Sequence, residues 1–424
     1  MITSRWAVVL CKFADDNDSP PPLLHYQRLF TGAGTGSFNM VDYFLDMSHG
    51  QLDVSGSQVF GWFTLDQNRS VFAGNVTTPP PGQVNRGGLF DLCTKKATDN
   101  GVDLSGFDGI LVSMIGNTDL WGGPPGVMHA FCDTLSLSPS PLGQEMGHGY
   151  GLDHSRQDGS DADYMDPWDD MSVYDSTFMA FNNEWGKIGP GLNAQCMRSR
   201  GWLDETRVWK PMDQSFNSTI QLRPLHRRDL PGLLAAELPG FLVEYRPKER
   251  WDASFLRSAV FVHRFDDNHS YVMRGVSGNF DLVAGDSFQH GNPGGRRSIF
   301  TSYTKMDVLN IDDNTRTATL NLMHHSAFVE PSLVGQTLVG VTQGGGGLWI
   351  VGGKIHPVPP RGLASAIGES LGTYLDASEI SEAGLRAQVQ REALGTMKRS
   401  IETRISELSS SRSPAPAVTP SPHD

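Results

Sequence analysis

Near Asp204 the hydrophobic pattern changes period, and that change restricts the fold more than any other feature of the chain. Before it, short apolar runs alternate with amphipathic stretches. Trp6 to Phe13 is a buried-strand run ended by the turn cluster Asp15-Asp16-Asn17-Asp18. Phe38 to Met47 has helical spacing, with Met40, Val41, Phe44 and Leu45 on one side and Gly50 as its stop. Strands are expected near 51–56 and 59–65, a second helix through Leu89, Leu92, Cys93 and Ala97, and a further strand from Gly109 to Ile115. Such alternation predicts an α/β layer on a mostly parallel sheet. After Asp204 the period is two, in Ile220/Leu222, Phe241/Val243/Tyr245, Phe261/His263/Phe265 and Ala318/Leu320/Leu322, which predicts a separate β-sandwich.

The expected organisation is therefore an α/β (α+β) domain over 1–204 and a β-sandwich over 205–328. A Gly/Pro-rich connecting region over 329–377 follows, containing Gly344 to Gly347 and Pro357-Val358-Pro359-Pro360. An amphipathic helix over 378–408 carries Leu385, Val389, Leu394, Met397, Ile401, Ile405 and Leu408 on one side, and a Ser/Pro-rich tail over 409–424 is expected to be disordered. With 34 Lys and Arg against 47 Asp and Glu the net charge is −13, which disfavours nucleic acid as a partner. No apolar run approaches the ~18 residues of a membrane span, and none near residue 1 is long enough for a signal-peptide core. Localisation and oligomeric state stay open. Cys11, Cys93, Cys132 and Cys196 show no paired spacing and read as buried thiols.

The segment carrying chemistry is 144–155, Gln-Glu-Met-Gly-His-Gly-Tyr-Gly-Leu-Asp-His-Ser. Gln144 and His148, four apart on a helix, lie ~40° apart around its axis and can meet one metal ion. Gly151 supplies a left-handed stop that turns the chain, so that His154 approaches from another direction. Three ligands with an open fourth position suit catalytic Zn²⁺, and the amide oxygen of Gln144 leaves room for another divalent ion. Glu145 is placed to take a proton from the metal's water and return it to a leaving amine.

This segment resembles the extended metzincin zinc-peptidase signature HExxHxxGxxH with Gln144 in the first histidine's place, and it is similar to the QExxHxxGxxH variant of gametolysin-type peptidases. Tyr43-Phe44-Leu45-Asp46-Met47-Ser48-His49-Gly50 with Gly61-Trp62 resembles the segment upstream of the zinc helix in gametolysin-like and immune-inhibitor-A-like peptidases. Asp166-Pro167-Trp168-Asp169-Asp170-Met171-Ser172 looks like a Met-turn, and Gly189 to Ala194 with Gly201-Trp202-Leu203 like the last catalytic helix. The resemblance covers about residues 5–204. It implies a metzincin-like zinc endopeptidase acting on protein or peptide, leaning towards an extracellular setting, with Gln144, His148 and His154 on the metal and Met171 packed beneath it. Met165 competes for the Met-turn. Tyr174 is a candidate transition-state stabiliser, with ordinary packing as the competing reading. A catalytically silent peptide- or protein-binding module is the alternative function, because glutamine is a weaker donor than imidazole.

Other residues carry plainer readings. Asp158, Asp161, Asp163, Asp166, Asp169 and Asp170 are a candidate Ca²⁺ cluster or a solvated loop, and one of them is expected to orient His148 or His154. His129, in the run Gly126 to Cys132, is structural, and that run is a candidate edge strand for extended substrate. His324-His325 is expected at the surface.

Overall fold

In the computed structural model the described residues are 1–72, 86–116, 118, 122–123, 125–174, 177–213, 215–291, 300–328, 348–351, 354–357 and 398. The expected helix over 378–408 (apart from Lys398), the tail over 409–424 and most of the connecting region over 329–377 lie outside them. The chain is mixed α and β, with sheets predominating over a few helices. Two compact units divide it, one of residues 1–210, 219–288 and 306–321, the other of 211–218, 289–305 and 322–424.

In the first unit, Gln58–Thr64, Trp6–Lys12, Gly109–Met114 and His129–Asp133 form a four-stranded sheet in that order, every pair parallel. Trp6–Lys12 is buried on both faces, as an interior strand of a parallel sheet must be. Its side chains alternate between two cores. Trp6, Val8 and Leu10 pack with Leu142, Met146 and Met171, whereas Val9, Cys11 and Phe13 pack with Leu89, Phe90, Cys93 and Ala97. One face thus holds the helix Pro139–Gly149 and the other the helix Arg86–Asp99. At ~1.5–3 kcal/mol for each large apolar side chain buried, these two cores hold the layer together. The helix Met40–Met47 begins with a reciprocal capping box between Asn39 and Asp42.

A second sheet of the same unit has the order Val208–Trp209, Ala235–Leu238, Phe241–Arg246, Ala259–Asp266, His269–Val272 and Arg156–Gln157. Its last strand follows His154 directly and pairs in parallel with the preceding one, Arg156 opposite Tyr271 and Gln157 opposite Val272. The compact unit that holds both sheets includes residues on either side of position 204. The period-two pattern also implies one solvated face, yet all six residues of Phe241–Arg246 are buried. The polar face is covered as well. Arg246 donates to Asp252 and to the carbonyl of Gly191, Ala194 N–H donates to Glu244 Oε2 (2.6 Å), and His263 donates through Nε2 to Asp166 Oδ2 (3.0 Å). Burial opposes a charge on His263, but Glu244 and Asp166 outweigh it and raise its pKa.

A further four-stranded sheet has the order Phe216–Leu222, Thr317–Phe328, Phe300–Asp312 and Ser287–Gly291, and Leu348–Val351 pairs antiparallel with Lys354–Pro357. His324, expected at the surface, is 2% exposed and shares a 2.8 Å hydrogen bond with Thr304 Oγ1, whereas His325 is exposed. A hydroxyl on the facing strand lets the imidazole be buried with its polarity met.

Candidate active site

The helix Pro139–Gly149 has the sequence Pro-Ser-Pro-Leu-Gly-Gln-Glu-Met-Gly-His-Gly, poor in intrinsic helix formers. Packing holds it instead, since all eleven residues are buried. Its glycines let neighbours come close. A Cβ built on Gly147 would lie 2.9 Å from Met171 Sδ, one on Gly149 2.9 Å from Trp6 Cη2, and one on Gly143 would collide with Asp170 Oδ2.

The helix ends in a paired-hydrogen-bond turn. Leu152 N–H donates to Gly147 O (3.0 Å) and Gly151 N–H to His148 O (2.7 Å), with Gly151 at φ +87°. The left-handed turn expected at Gly151 is thus present, and the chain folds back so that the His148 and His154 rings stand 4.7 Å apart, nearly perpendicular at 86°.

Each ring is held through Nδ1. His148 Nδ1–H donates to Leu152 O (2.9 Å), which leaves its Nε2 as a lone-pair donor. His154 Nδ1 faces Asp163 Oδ2 at 3.4 Å, and Asp163 Oδ1 accepts from Arg156 Nε at 2.8 Å. Asp163 is the member of the acidic stretch that orients a site histidine. Burial lowers the pKa of both imidazoles, favouring the neutral form that ligates a cation. The second sheet fixes the backbone here, with His269 Nδ1–H donating to His154 O (2.8 Å) and Asp158 N–H to Val272 O (2.8 Å).

Gln144 Oε1 accepts from Val173 N–H at 2.7 Å. Its amide oxygen is engaged but keeps a second lone pair. Glu145 is 6% exposed, and its Oε2 has no hydrogen-bond partner among the described residues. Burial pushes the Glu145 carboxyl up to about 7 against the pull of the Arg86 guanidinium. Met171 is fully buried under the helix, whereas Met165 is 37% exposed. Asp169 Oδ1 accepts from Met171 N–H and Ser155 Oγ–H, and Asp170 accepts from Tyr43 Oη (2.6 Å) and Ser140 Oγ.

The two imidazoles are spaced as a shared divalent ion would need, whereas the amide oxygen of Gln144 is bonded to Val173 N–H. Two histidines bound to one zinc ion at ~2.0–2.1 Å, with a tetrahedral angle, place their ring centres ~5 Å apart; the rings here match, with both Nε2 atoms unbonded among the described residues. No group of three His, Cys, Asp or Glu side chains able to hold a metal occurs among the described residues. The six aspartates of the Ca²⁺ expectation are therefore not gathered as such a group. Asp166, Asp169 and Asp170 are instead fully buried and hydrogen-bonded within the loop and its surroundings.

Tyr174 is 63% exposed and its ring lies 6.0 Å from Tyr164. Tyr164, unremarked in the sequence, packs its ring against His154 at 4.1 Å, tilted by 39°. Burial and the nearby Glu145 raise its phenol pKa. Its backbone lies in the left-handed region at φ +63°, which no residue pattern announces. The strand expected over 126–132 is His129–Asp133, and Gly122 N–H donates to Phe131 O on its outer edge (3.3 Å). That edge is partly taken by the chain itself. His129 stacks on Phe90 at 4.1 Å, a structural role. No helix among the described residues is long and apolar enough to cross a membrane. No protein-family model matches the chain, and no curated protein matches it.

Proposed function

We propose that this chain is a metal-dependent endopeptidase of metzincin-like type that hydrolyses peptide bonds in a protein or peptide substrate. The observation that carries the reading is the approach of the His148 and His154 rings to 4.7 Å, each with Nε2 unbonded among the described residues, at the end of the helix that carries the buried and unpartnered Glu145 Oε2. Gln144, His148 and His154 would hold the ion, with Zn²⁺ the first candidate for this donor set. When bound, the ion supplies a Lewis acid and a water acidic enough to ionise near neutral pH. Glu145 takes the proton of the attacking water, and its raised pKa suits both that step and delivery of the proton to the leaving amine. Asp163 and Leu152 O keep the two rings in the tautomer that exposes Nε2. Met171 packs closely against Gly147, on the helix that carries Gln144, Glu145 and His148.

The Val173 N–H on Gln144 Oε1 favours a second reading, a binding module that holds peptide without cutting it. Glu145→Ala separates the two. An enzyme loses turnover by orders of magnitude while its melting transition is retained. Proteolysis that persists unchanged in this variant rules out the mechanism.

A further inference from the structure

Arg86, whose guanidinium pulls the Glu145 pKa down against burial, is given no contact with substrate in the chemistry above. It is the first residue of the helix Arg86–Asp99, it is exposed, and it makes no hydrogen bond or ion pair among the described residues. A Cβ built on Gly122 would lie 2.9 Å from Arg86 Nη1 and 3.8 Å from Glu145 Oε2. The guanidinium and the buried, unpartnered carboxylate oxygen thus border the same small volume without closing on each other. Gly122, at φ +120°, leaves that volume free of a side chain. A guanidinium has a planar fork of donors that matches a carboxylate in bidentate fashion. In a chain of net charge −13 a guanidinium bordering Glu145, with no ion-pair partner among the described residues, is a feature that attracts an anion.

We propose that Arg86 anchors a carboxylate of the substrate, so that the site selects peptides with an Asp or Glu side chain next to the bond presented to Glu145. The inference rests on the peptidase reading and names its substrate class. Arg86 acts here as a specificity residue. An equal role in every substrate, such as general stabilisation of a developing oxyanion, is the alternative that the test must exclude.

The test uses the full chain and end-blocked hexapeptide pools of otherwise identical composition, carrying Glu, Gln or Lys at one fixed position. Binding is measured by fluorescence anisotropy with chelator present, so that no turnover is needed. The expected result is binding of the Glu pool about ten- to a hundredfold tighter than the Gln pool, the size of a charge-assisted contact. Arg86→Gln should erase this preference and Arg86→Glu should move it to the Lys pool, with melting unchanged because Arg86 is exposed. A wild-type preference below about twofold, or one that survives Arg86→Gln, overturns the proposal. A chain that discriminates in binding but cleaves nothing with any divalent ion keeps the anchor and loses the peptidase reading. Cleavage without charge discrimination does the reverse.

Discussion

Gly143→Ala sets helix propensity against packing. In an open helix alanine is better than glycine by ~0.8–1.0 kcal/mol. At position 143 the new methyl would collide with Asp170 Oδ2 and lie 2.7 Å from Tyr43 Cζ. Asp170 and Tyr43 are both fully buried and joined by a 2.6 Å hydrogen bond. Overpacking such a place costs ~1–3 kcal/mol, and parting the buried bond a further ~1–3 kcal/mol. After subtracting the propensity gain, the variant should be destabilised by about 1–5 kcal/mol. The assay is urea unfolding followed by tryptophan fluorescence, with Gly87→Ala beside it. Gly87 is exposed in the helix Arg86–Asp99, with nothing within 4 Å of an added Cβ, so that variant should gain up to ~1 kcal/mol. A Gly143→Ala protein as stable as wild type would refute the close approach of the Met171 loop to this helix.

Two further substitutions probe the surroundings of the site. Asp163→Asn weakens the carboxylate behind His154 and should lower divalent-ion affinity by ~10–100-fold with little change in melting, measured by titration with a chromophoric competitor. Asp252→Asn leaves the fully buried Arg246 without its main counter-charge and should cost ~3–5 kcal/mol at neutral pH. Burial works against a charged Asp252, but Arg246 and His226 outweigh it and hold its pKa below the ordinary value. The stabilisation is therefore complete above the unfolded value of ~3.9 and is lost as the pH falls towards the folded one, so the gap between variant and wild type should narrow in acid. A gap independent of pH would contradict this.

The parts of the site that were legible in the sequence are local. The one-face placement of Gln144 and His148 and the left-handed stop at Gly151 follow from helix geometry over eight residues, and both are present. Spacing alone prefers Met171 to Met165; Met171 is fully buried and Met165 is 37% exposed. What escaped is long-range or depends on single backbone angles. The hold of His269 on His154 O joins positions 115 apart in the chain, and no pattern near either residue encodes it. The glycines at 143, 147 and 149 look like weak helix formers until Tyr43, Asp170, Met171 and Trp6 are seen against them. The alternation in Phe241–Arg246 is real, but period two records polarity and cannot tell a solvated face from one filled by paired charges. Arg86 is an unremarkable charge in the sequence because the volume it borders lies at Gly122 and Glu145, far along the chain.

The central claim is that Gln144 works as a ligand beside two histidines, and elemental analysis of the full chain tests it most directly. After dialysis against zinc and removal of free metal, the native protein should retain close to one equivalent, and Gln144→His should retain it more tightly. Zinc held by Gln144→His but absent from the native chain would contradict the account and leave the binding module in its place.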